Sequence, residues 1–302
     1  MQLNPIFVSN IHDIYGQAGN TWLDKLPVLI QQLAEQWNFQ FLKPVPDLSY
    51  NFVGTVKMNS HADTAILKIA FEHERLATEV SWLNAMQHGV PSLYNYDKNL
   101  NAVLMEHLIP GVSLKSLVIS GKDDLATAII CETIRHLQSQ ESSASTFTHL
   151  SELMKSLAIL ENRYDATLLS QAKSWFHDLT VDRTQDVILH GDLHHGNILS
   201  SDSHWKSIDP HGYTGDPVAE VGAMIRNPFD CFPTEKSLSK TIERRLSIMA
   251  DELPFDRQKI KQWAFCITVL SAAWTLENHK DAKETDLDIE VAAAIHNATR
   301  MK

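Results

Sequence analysis

The run His190-Gly191-Asp192-Leu193-His194-His195-Gly196-Asn197, followed shortly by Ser207-Ile208-Asp209, restricts the fold more than any other part of the chain. Apolar runs bracket it. Val187-Ile188-Leu189 reads as a strand leading in, and Asn197-Ile198-Leu199 and Trp205-Lys206-Ser207-Ile208 read as two more, with Ser200-Ser201-Asp202-Ser203 as turn chemistry between them. A hairpin turned about Ser203 sets Asn197 and Asp209 equally far from the turn, facing each other. Directly opposed residues in a ladder have Cβ atoms about 5 Å apart. A carboxamide oxygen and a carboxylate at that spacing suit one hard divalent cation such as Mg²⁺, which takes oxygen ligands and keeps several waters. Asp192, on the loop ahead of the hairpin, is then placed to orient a hydroxyl nucleophile. A base and two metal ligands on one hairpin are the parts that phosphoryl transfer needs.

The length of 302 residues suits two domains at about 150 residues each, and a hydrophobic content of 44% supplies a core for both. A formal net charge of −11 argues against a nucleic-acid or anionic-membrane partner, either of which calls for a basic face. Cys131, Cys231 and Cys266 are widely spaced and contain no Cys-x-x-Cys pair, so they suggest neither a disulfide frame nor a cysteine zinc site. Residues Met1 to Asn10 lack the basic segment and apolar core of a secretory signal. No run approaches the roughly 18 apolar residues that span a bilayer. The expectation is a soluble, cytoplasmic protein.

Trp22, Leu26, Leu29, Ile30, Leu33 and Trp37 fall at helical spacing and predict a helix from about Asn20 to Trp37, ended by Pro44 and Pro46. Strands are predicted at Tyr50 to Lys57, Ala65 to Ala70 and Asn101 to His107, with a helix from Phe71 to Gln87 between the last two. Beyond Pro110-Gly111 the chain turns helical: Ser113 to Val118, Asp123 to Gln140, Leu150 to Arg163, Asp165 to Leu179, Glu235 to Asp251, Asp256 to Asn278 and Asp286 to Arg300. The stripe Trp263, Ile267, Leu270, Trp274 reads as core, and Asp216-Pro217 as an N-cap with proline at the first helical position. The predicted class is α+β in two lobes. Residues 1–106 form a small strand-rich N-terminal lobe with a helical extension, and residues 107–302 a larger helical C-terminal lobe.

His190-Gly191-Asp192-x4-Asn197 followed by Asp209 resembles the catalytic segment of the aminoglycoside phosphotransferases, small-molecule relatives of the protein kinases, whose own segment is His-Arg-Asp-x4-Asn. The longer run from Val187 to Leu199 narrows the likeness, together with Ile208-Asp209-Pro210, Gly215 to Val221 and Arg226-Asn227-Pro228. It resembles the streptomycin 6-kinase branch, the aminoglycoside/hydroxyurea antibiotic resistance kinases, over roughly residues 187 to 228. The resemblance implies a bilobal protein-kinase-like fold, ATP and Mg²⁺ as cofactors, Asp192 as the catalytic residue and Asn197 and Asp209 as metal ligands. It implies that Lys68, at the end of the apolar strand Ala65 to Ile69, binds the α/β-phosphates while Glu79 on the next helix holds it. The backbone of Met105-Glu106-His107-Leu108 would read the adenine edge, placing Glu106 and Leu108 at the nucleotide. His190 would anchor the catalytic loop.

Between Tyr50 and Asp63 the one glycine is Gly54, short of a glycine-rich phosphate-covering loop, so the backbone of Asn59 to Ala62 is a candidate cover without a named residue. His190, His194, His195 and His211 lie on a loop interrupted by two glycines, unlike the regular spacing of zinc ligands, and read as hydrogen-bonding groups. The acceptor implied by the resemblance is a cationic small molecule with a free hydroxyl, streptomycin first. Glu277, Asp281, Glu284, Asp286 and Asp288 are the acidic groups available to its guanidinium groups, unless they form an ordinary solvated cluster. A metabolic small alcohol as acceptor, or a nucleotide-binding module without catalysis, are the other readings. Nothing in the sequence speaks to oligomeric state.

Overall fold

The computed structural model of the chain describes residues 3–46, 48–60, 63–140, 147–228, 231, 235–279 and 282–298; for residues 235–237, 278–279 and 282–284 it describes the backbone alone. Two compact units result, Met1–Asn84 with Val90–Ile109, and Ala85–Gly89 with Pro110–Lys302.

In the first unit, helix α1 (Pro5–Trp37) is opened by Asn4, whose side-chain oxygen accepts the Ile6 N–H at 2.8 Å, and by proline in the first turn. Gly16, at φ 56 and ψ −133, breaks α1 into two helical stretches. The helix predicted from about Asn20 therefore begins at Pro5. Its first stretch buries Phe7 and Ile11 but little else, too thin a stripe to register as periodicity. Asn38 closes α1 in a left-handed conformation, φ 55, and donates its N–H to Ala34. Strands β1 (Phe39–Pro44), β2 (Phe52–Met58) and β3 (Thr64–Ile69), helix α2 (His73–Ala85), and strands β4 (Leu93–Asp97) and β5 (Ala102–Glu106) follow. The sheet is antiparallel in the order β1-β2-β3-β5-β4. Strands β1 and β4 were not expected. Both are edge strands, where proline is tolerated and β4 can expose most of its side chains.

Leu26, Ile30 and Leu33 of α1 pack on Phe52, Val56, Leu67, Ile69 and Leu104 of the sheet. Each such burial is worth about 1.5–3 kcal/mol. Because side chains alternate along β3, Ala65, Leu67 and Ile69 enter this core and Lys68 goes to the other face with Ile66. There Ile66 packs against Leu76 and Val80 of α2, so the strand's one lysine is delivered to the helix that carries Glu79.

The second unit contains β6 (Pro110–Ser113), α3 (Lys115–Ile119), α4 (Asp123–Gln138), β7 (Thr148–His149), a 3₁₀ helix at Leu150–Leu160, α5 (Ala166–Val181) and β8 (Val187–Leu189). It continues with β9 (Ile198–Ser201), β10 (His204–Ser207), β11 (Tyr213–Gly215), a 3₁₀ turn at Pro217–Val221, α6 (Gly222–Ile225), α7 (Glu235–Glu252), α8 (Arg257–His279) and α9 (Ala282–Asn297). Two small sheets form, β10-β9-β6 and β7-β11-β8. Three predicted helices differ: Ser113 belongs to β6 with α3 starting at Lys115, Leu150–Leu160 is 3₁₀ instead of α, and α9 begins at Ala282 instead of Asp286, its expected end at Arg300 lying outside the described residues. Helix α8 buries Trp263, Phe265, Val269, Leu270 and Ala272, an apolar surface all round, as expected of a helix enclosed by others. It packs on α5, α6, α9 and the 150–160 helix, and Trp263 meets Phe176 edge-on at 5.6 Å. Residues 85–89 join this unit because the Gly89 carbonyl accepts from Ser207 N–H at 2.8 Å and Gln140 accepts from the N–H groups of Gln87 and His88. Cys131 and Cys266 are buried thiols. Among the described residues no helix is long and apolar enough to cross a membrane.

Candidate active site

The hairpin expected around Ser203 forms, but its register differs by one residue. Ser201 pairs with His204 and Ile198 with Ser207, so the turn is the two residues Asp202 and Ser203, with Asp202 at φ 51. Continuing the ladder, Ile208 N–H donates to the Asn197 carbonyl at 2.9 Å; Ile208, not Asp209, lies opposite Asn197. The prediction centred the turn on a residue instead of between two. A one-residue slip ordinarily moves a side chain to the other face of the sheet. Here the chain leaves the ladder: Asp209 takes a left-handed φ of 58, a conformation costly for a non-glycine residue and most often retained at functional sites.

His190, fully buried, fixes the loop before the hairpin. Its Nδ1 accepts the Asp192 N–H at 3.3 Å, so its Nε2 carries the proton and donates to the Ile208 carbonyl at 2.9 Å. Its own carbonyl accepts from the N–H groups of His211 and Gly212 at 2.8 and 3.2 Å. This pattern requires the neutral ring, and burial lowers the His190 pKa to about 4. Glu220, from the turn that Asp216 caps by accepting the Val218 N–H, receives the N–H groups of His190 and Gly191 at 2.7 and 3.0 Å. Burial pushes the Glu220 pKa up to about 7, against the pull of those two donors. Gly191 has φ 78, and a Cβ there would lie 2.4 Å from the Tyr213 ring, so the position admits only glycine.

The Asp192 carboxylate is 22% exposed. His194 Nε2 stands 3.5 Å and His211 Nε2 3.8 Å from its Oδ2, and Asn197 Nδ2 donates to the same oxygen at 3.2 Å and to the Asp192 carbonyl at 3.0 Å. These side-chain contacts gather on one carboxylate oxygen. Burial alone would raise the Asp192 pKa, but His194, His211 and the Arg226 guanidinium together hold it well below the usual carboxylate range. The group stays ionised.

Asn197 turns its amide N–H groups to Asp192, which leaves the amide oxygen as the atom able to meet a cation. Asp209 follows directly on the residue bonded to Asn197. An amide oxygen and a carboxylate form a hard, all-oxygen donor set of the kind Mg²⁺ takes, and these two residues would hold it.

In the first unit, Lys68 Nζ donates to Glu79 Oε2 at 2.6 Å, and both residues are only 4% exposed. Glu106 ends β5 with its N–H donating to the Ser92 carbonyl and its carboxylate accepting the Ser92 N–H, each at 2.9 Å. Both its backbone N–H and its carboxylate are thus engaged with Ser92. Leu108 is buried, and the intervening His107 Nδ1 lies 2.7 Å from Thr64 Oγ1. Part of the candidate phosphate-covering loop, His61 and Ala62, lies outside the described residues.

Of the acidic groups considered for the acceptor, Glu277 and Asp286 are exposed, and Asp286 accepts from the Tyr164 hydroxyl at 3.2 Å. Asp281 and the Glu284 side chain lie outside the described residues. Asp288 is not a surface group: it is fully buried against Thr275 and Arg226. Spacing along a helix gave its face too little definition to separate it from its exposed neighbours. His194 and His211 were expected as hydrogen-bonding loop groups without a named partner, and Glu220 and Arg226 were not assigned contacts with Asp192 or its loop, because they lie about thirty positions further along the chain.

A family model described as aminoglycoside/hydroxyurea antibiotic resistance kinase matches residues 49–279. The chain is 24% identical over 273 residues to a streptomycin 6-kinase of Streptomyces glaucescens, covering 87% of each. It is 33% identical over 177 residues to a streptomycin 3''-kinase of Klebsiella pneumoniae, covering 57% of this chain and 66% of the relative. Among solved structures, it matches an aminoglycoside phosphotransferase in ternary complex with ADP and hygromycin B at a TM-score of 0.62 and 12% identity, over 89% of this chain and 98% of the other. The fold is that of the protein-kinase-like phosphotransferases.

Proposed function

The chain belongs to the aminoglycoside/hydroxyurea antibiotic resistance kinase family, phosphotransferases acting on a hydroxyl of a small molecule, and from that premise we propose that it uses ATP and Mg²⁺ to phosphorylate an aminoglycoside, streptomycin first among them. The observation that carries this reading is the Asp192 carboxylate, kept ionised with its protein contacts gathered on Oδ2. The other oxygen is the one to accept a hydrogen bond from the acceptor hydroxyl and take its proton as the oxygen attacks phosphorus.

Asn197 and Asp209 hold Mg²⁺, which supplies neutralising charge to the phosphates. Lys68, kept extended and charged by Glu79, binds the α/β-phosphates. The backbone at Glu106 and Leu108 receives the adenine edge. In this division of labour residues 1–106 bind the nucleotide and residues 107–302 carry the catalytic groups and the acceptor site. Most of the acceleration comes from positioning and charge complementarity, since no covalent intermediate is needed.

A coupled ADP-release assay with Mg²⁺ tests the reading on streptomycin, hygromycin B, hydroxyurea and simple amino alcohols. Streptomycin is expected to give the highest kcat/KM, and Asp192→Ala to lower kcat by about 10²–10⁴-fold with nucleotide binding retained. Turnover of an amino alcohol with none of streptomycin would remove the antibiotic assignment. A near-normal rate in Asp192→Ala would remove the base.

A further inference from the structure

The three-stranded sheet β7-β11-β8 brings together side chains that phosphoryl transfer leaves unused. His149 ends β7 and pairs with Thr214 of β11, and Val187 opens β8 opposite the neighbouring Gly215. Asp186, one residue before β8, therefore arrives at the same end of the sheet as His149. It sits on a turn in which its N–H donates to the Arg183 carbonyl at 3.2 Å, so Arg183 comes with it. His149 is also the N-cap of the 3₁₀ helix Leu150–Leu160, and the first turn of that helix carries Ser151. Four side chains meet where a sheet end, a turn and a helix start coincide.

The hydrogen bonds among them run in one direction. His149 Nδ1 accepts the Ser151 backbone N–H at 3.1 Å, so the ring proton is on Nε2, which faces Asp186 Oδ2 at 2.9 Å. The Ser151 hydroxyl, 2.8 Å from Nδ1, then donates to the same nitrogen. Arg183 Nη2 in turn donates to Ser151 Oγ at 3.0 Å. The carboxylate fixes one tautomer and the imidazole receives the hydroxyl hydrogen, which is the order of orienting acid, base and nucleophile. A helix cap needs only the backbone N–H; the hydroxyl, Asp186 and Arg183 are additional to it. Imidazole and carboxylate are sheltered, at 13% and 16% exposure. Ser151 lines a cavity of about 470 Å³ between the 150–160 helix and α5, with Met154 and Ala158 as apolar lining for an acyl chain and Lys155 and Lys173 as polar lining. That volume lies in the range of small-molecule sites.

We propose that Ser151 is the nucleophile of a second site that hydrolyses small carboxylic esters, with His149 as its base and Asp186 as the residue that positions His149. This goes beyond the phosphotransferase reading and does not depend on it. Ser151 Oγ adds to the ester carbonyl carbon as its proton passes to His149 Nδ1, and Asp186 holds the imidazolium that forms. The bond from that carbon to the alcohol oxygen then breaks, and the alcohol leaves with the Nδ1 proton. Water attacks the acyl-serine and gives a proton to Nδ1. The serine oxygen takes that proton back as the acid departs, so ester and water become acid and alcohol. Arg183, already on the nucleophile, is the cation available to the carbonyl oxygen as its negative charge develops.

Labelling of the full chain with a fluorophosphonate, read by peptide mass spectrometry, tests this, with hydrolysis of 4-nitrophenyl acetate as a second readout. The adduct is expected on Ser151 of the folded protein, and Ser151→Ala is expected to abolish it. His149→Asn keeps a good helix cap while removing the base, and should slow both labelling and ester hydrolysis by about 10²–10⁴-fold. Asp186→Asn should slow labelling about a hundredfold by releasing the other tautomer, and Asp186→Glu should recover part of that loss. A helix cap with no chemistry predicts no adduct on Ser151, and that result overturns the proposal. So does labelling of His149→Asn within about twofold of the unaltered protein, or ester hydrolysis unchanged in Ser151→Ala. Should His149→Asn fail to fold, Asp186→Asn decides, an unchanged labelling rate again overturning the assignment.

Discussion

Lys68 and Glu79 meet because regular elements bring them together. Strand alternation sends the lysine to one face, helix α2 covers that face, and the two groups close at 2.6 Å with almost no exposure. Asp192 meets its partners across irregular backbone: Gly191 and Asp209 at positive φ, a histidine whose two ring nitrogens serve two different backbone groups, and a glutamate gripping consecutive N–H groups. One region joins a buried cation and carboxylate at 2.6 Å, and the other spreads its contacts over a network of 2.7 to 3.8 Å, buried at His190 and Glu220 and partly exposed at Asp192. The first should therefore fail abruptly when one partner is removed. The second should respond in smaller, separable steps.

The sharpest break of that contrast is Lys68→Met. It takes away the ammonium that Glu79 accepts at 2.6 Å in the interior and should destabilise by about 3–5 kcal/mol in urea unfolding, with most of the loss recovered when Glu79→Leu is added. A cost below about 1 kcal/mol would put the two regions on the same footing.

A middle-sized effect is expected in the network. Glu220, with a pKa of about 7, is already taking up its proton where an unfolded glutamate stays ionised. Its folded-state pKa is raised, so its contribution to stability grows as pH falls from about 7 toward 4.5. Relative to Glu220→Gln, the unaltered protein should gain about 2 kcal/mol between pH 7 and pH 5. A pH-independent difference between the two would show that the carboxyl is not held in the state its burial implies.

The smallest effect belongs to the hairpin turn. Asp202→Gly relieves a left-handed residue at φ 51 and should change stability by no more than about 0.5 kcal/mol, toward greater stability. A loss above about 1 kcal/mol would mean that the Asp202 side chain holds the register.

The sequence made the strand-plus-helix logic of the first unit legible because Ala65, Leu67 and Ile69 alternate around Lys68, and because α2 follows within a few residues. It concealed the edge strands β1 and β4, whose exposed side chains leave no alternation to detect, and the first half of α1, where Phe7 and Ile11 alone mark the buried side. In the second unit the hairpin was visible but its register was not: Ser200 to Ser203 are four turn-forming residues, and which two become the turn depends on backbone angles that their composition leaves open. The local members of the loop, His190, Asp192 and Asn197, could be read from one short stretch. Glu220, thirty positions from His190, and Arg226 enter through tertiary packing, which a linear motif does not encode.

The Tyr213 ring resting on Gly191 has a bearing on exchange between related enzymes. Protein kinases carry arginine between the histidine and aspartate of this motif. Here the room for any side chain at that position is filled by an aromatic ring from the strand that follows the hairpin, 2.4 Å from where a Cβ would sit. Positions 191 and 213 are thus one compound character. A chimera importing a bulkier residue at the first should be inactive, and trimming the second should restore only part of what is lost, because the φ of 78 at position 191 strains any residue with a Cβ.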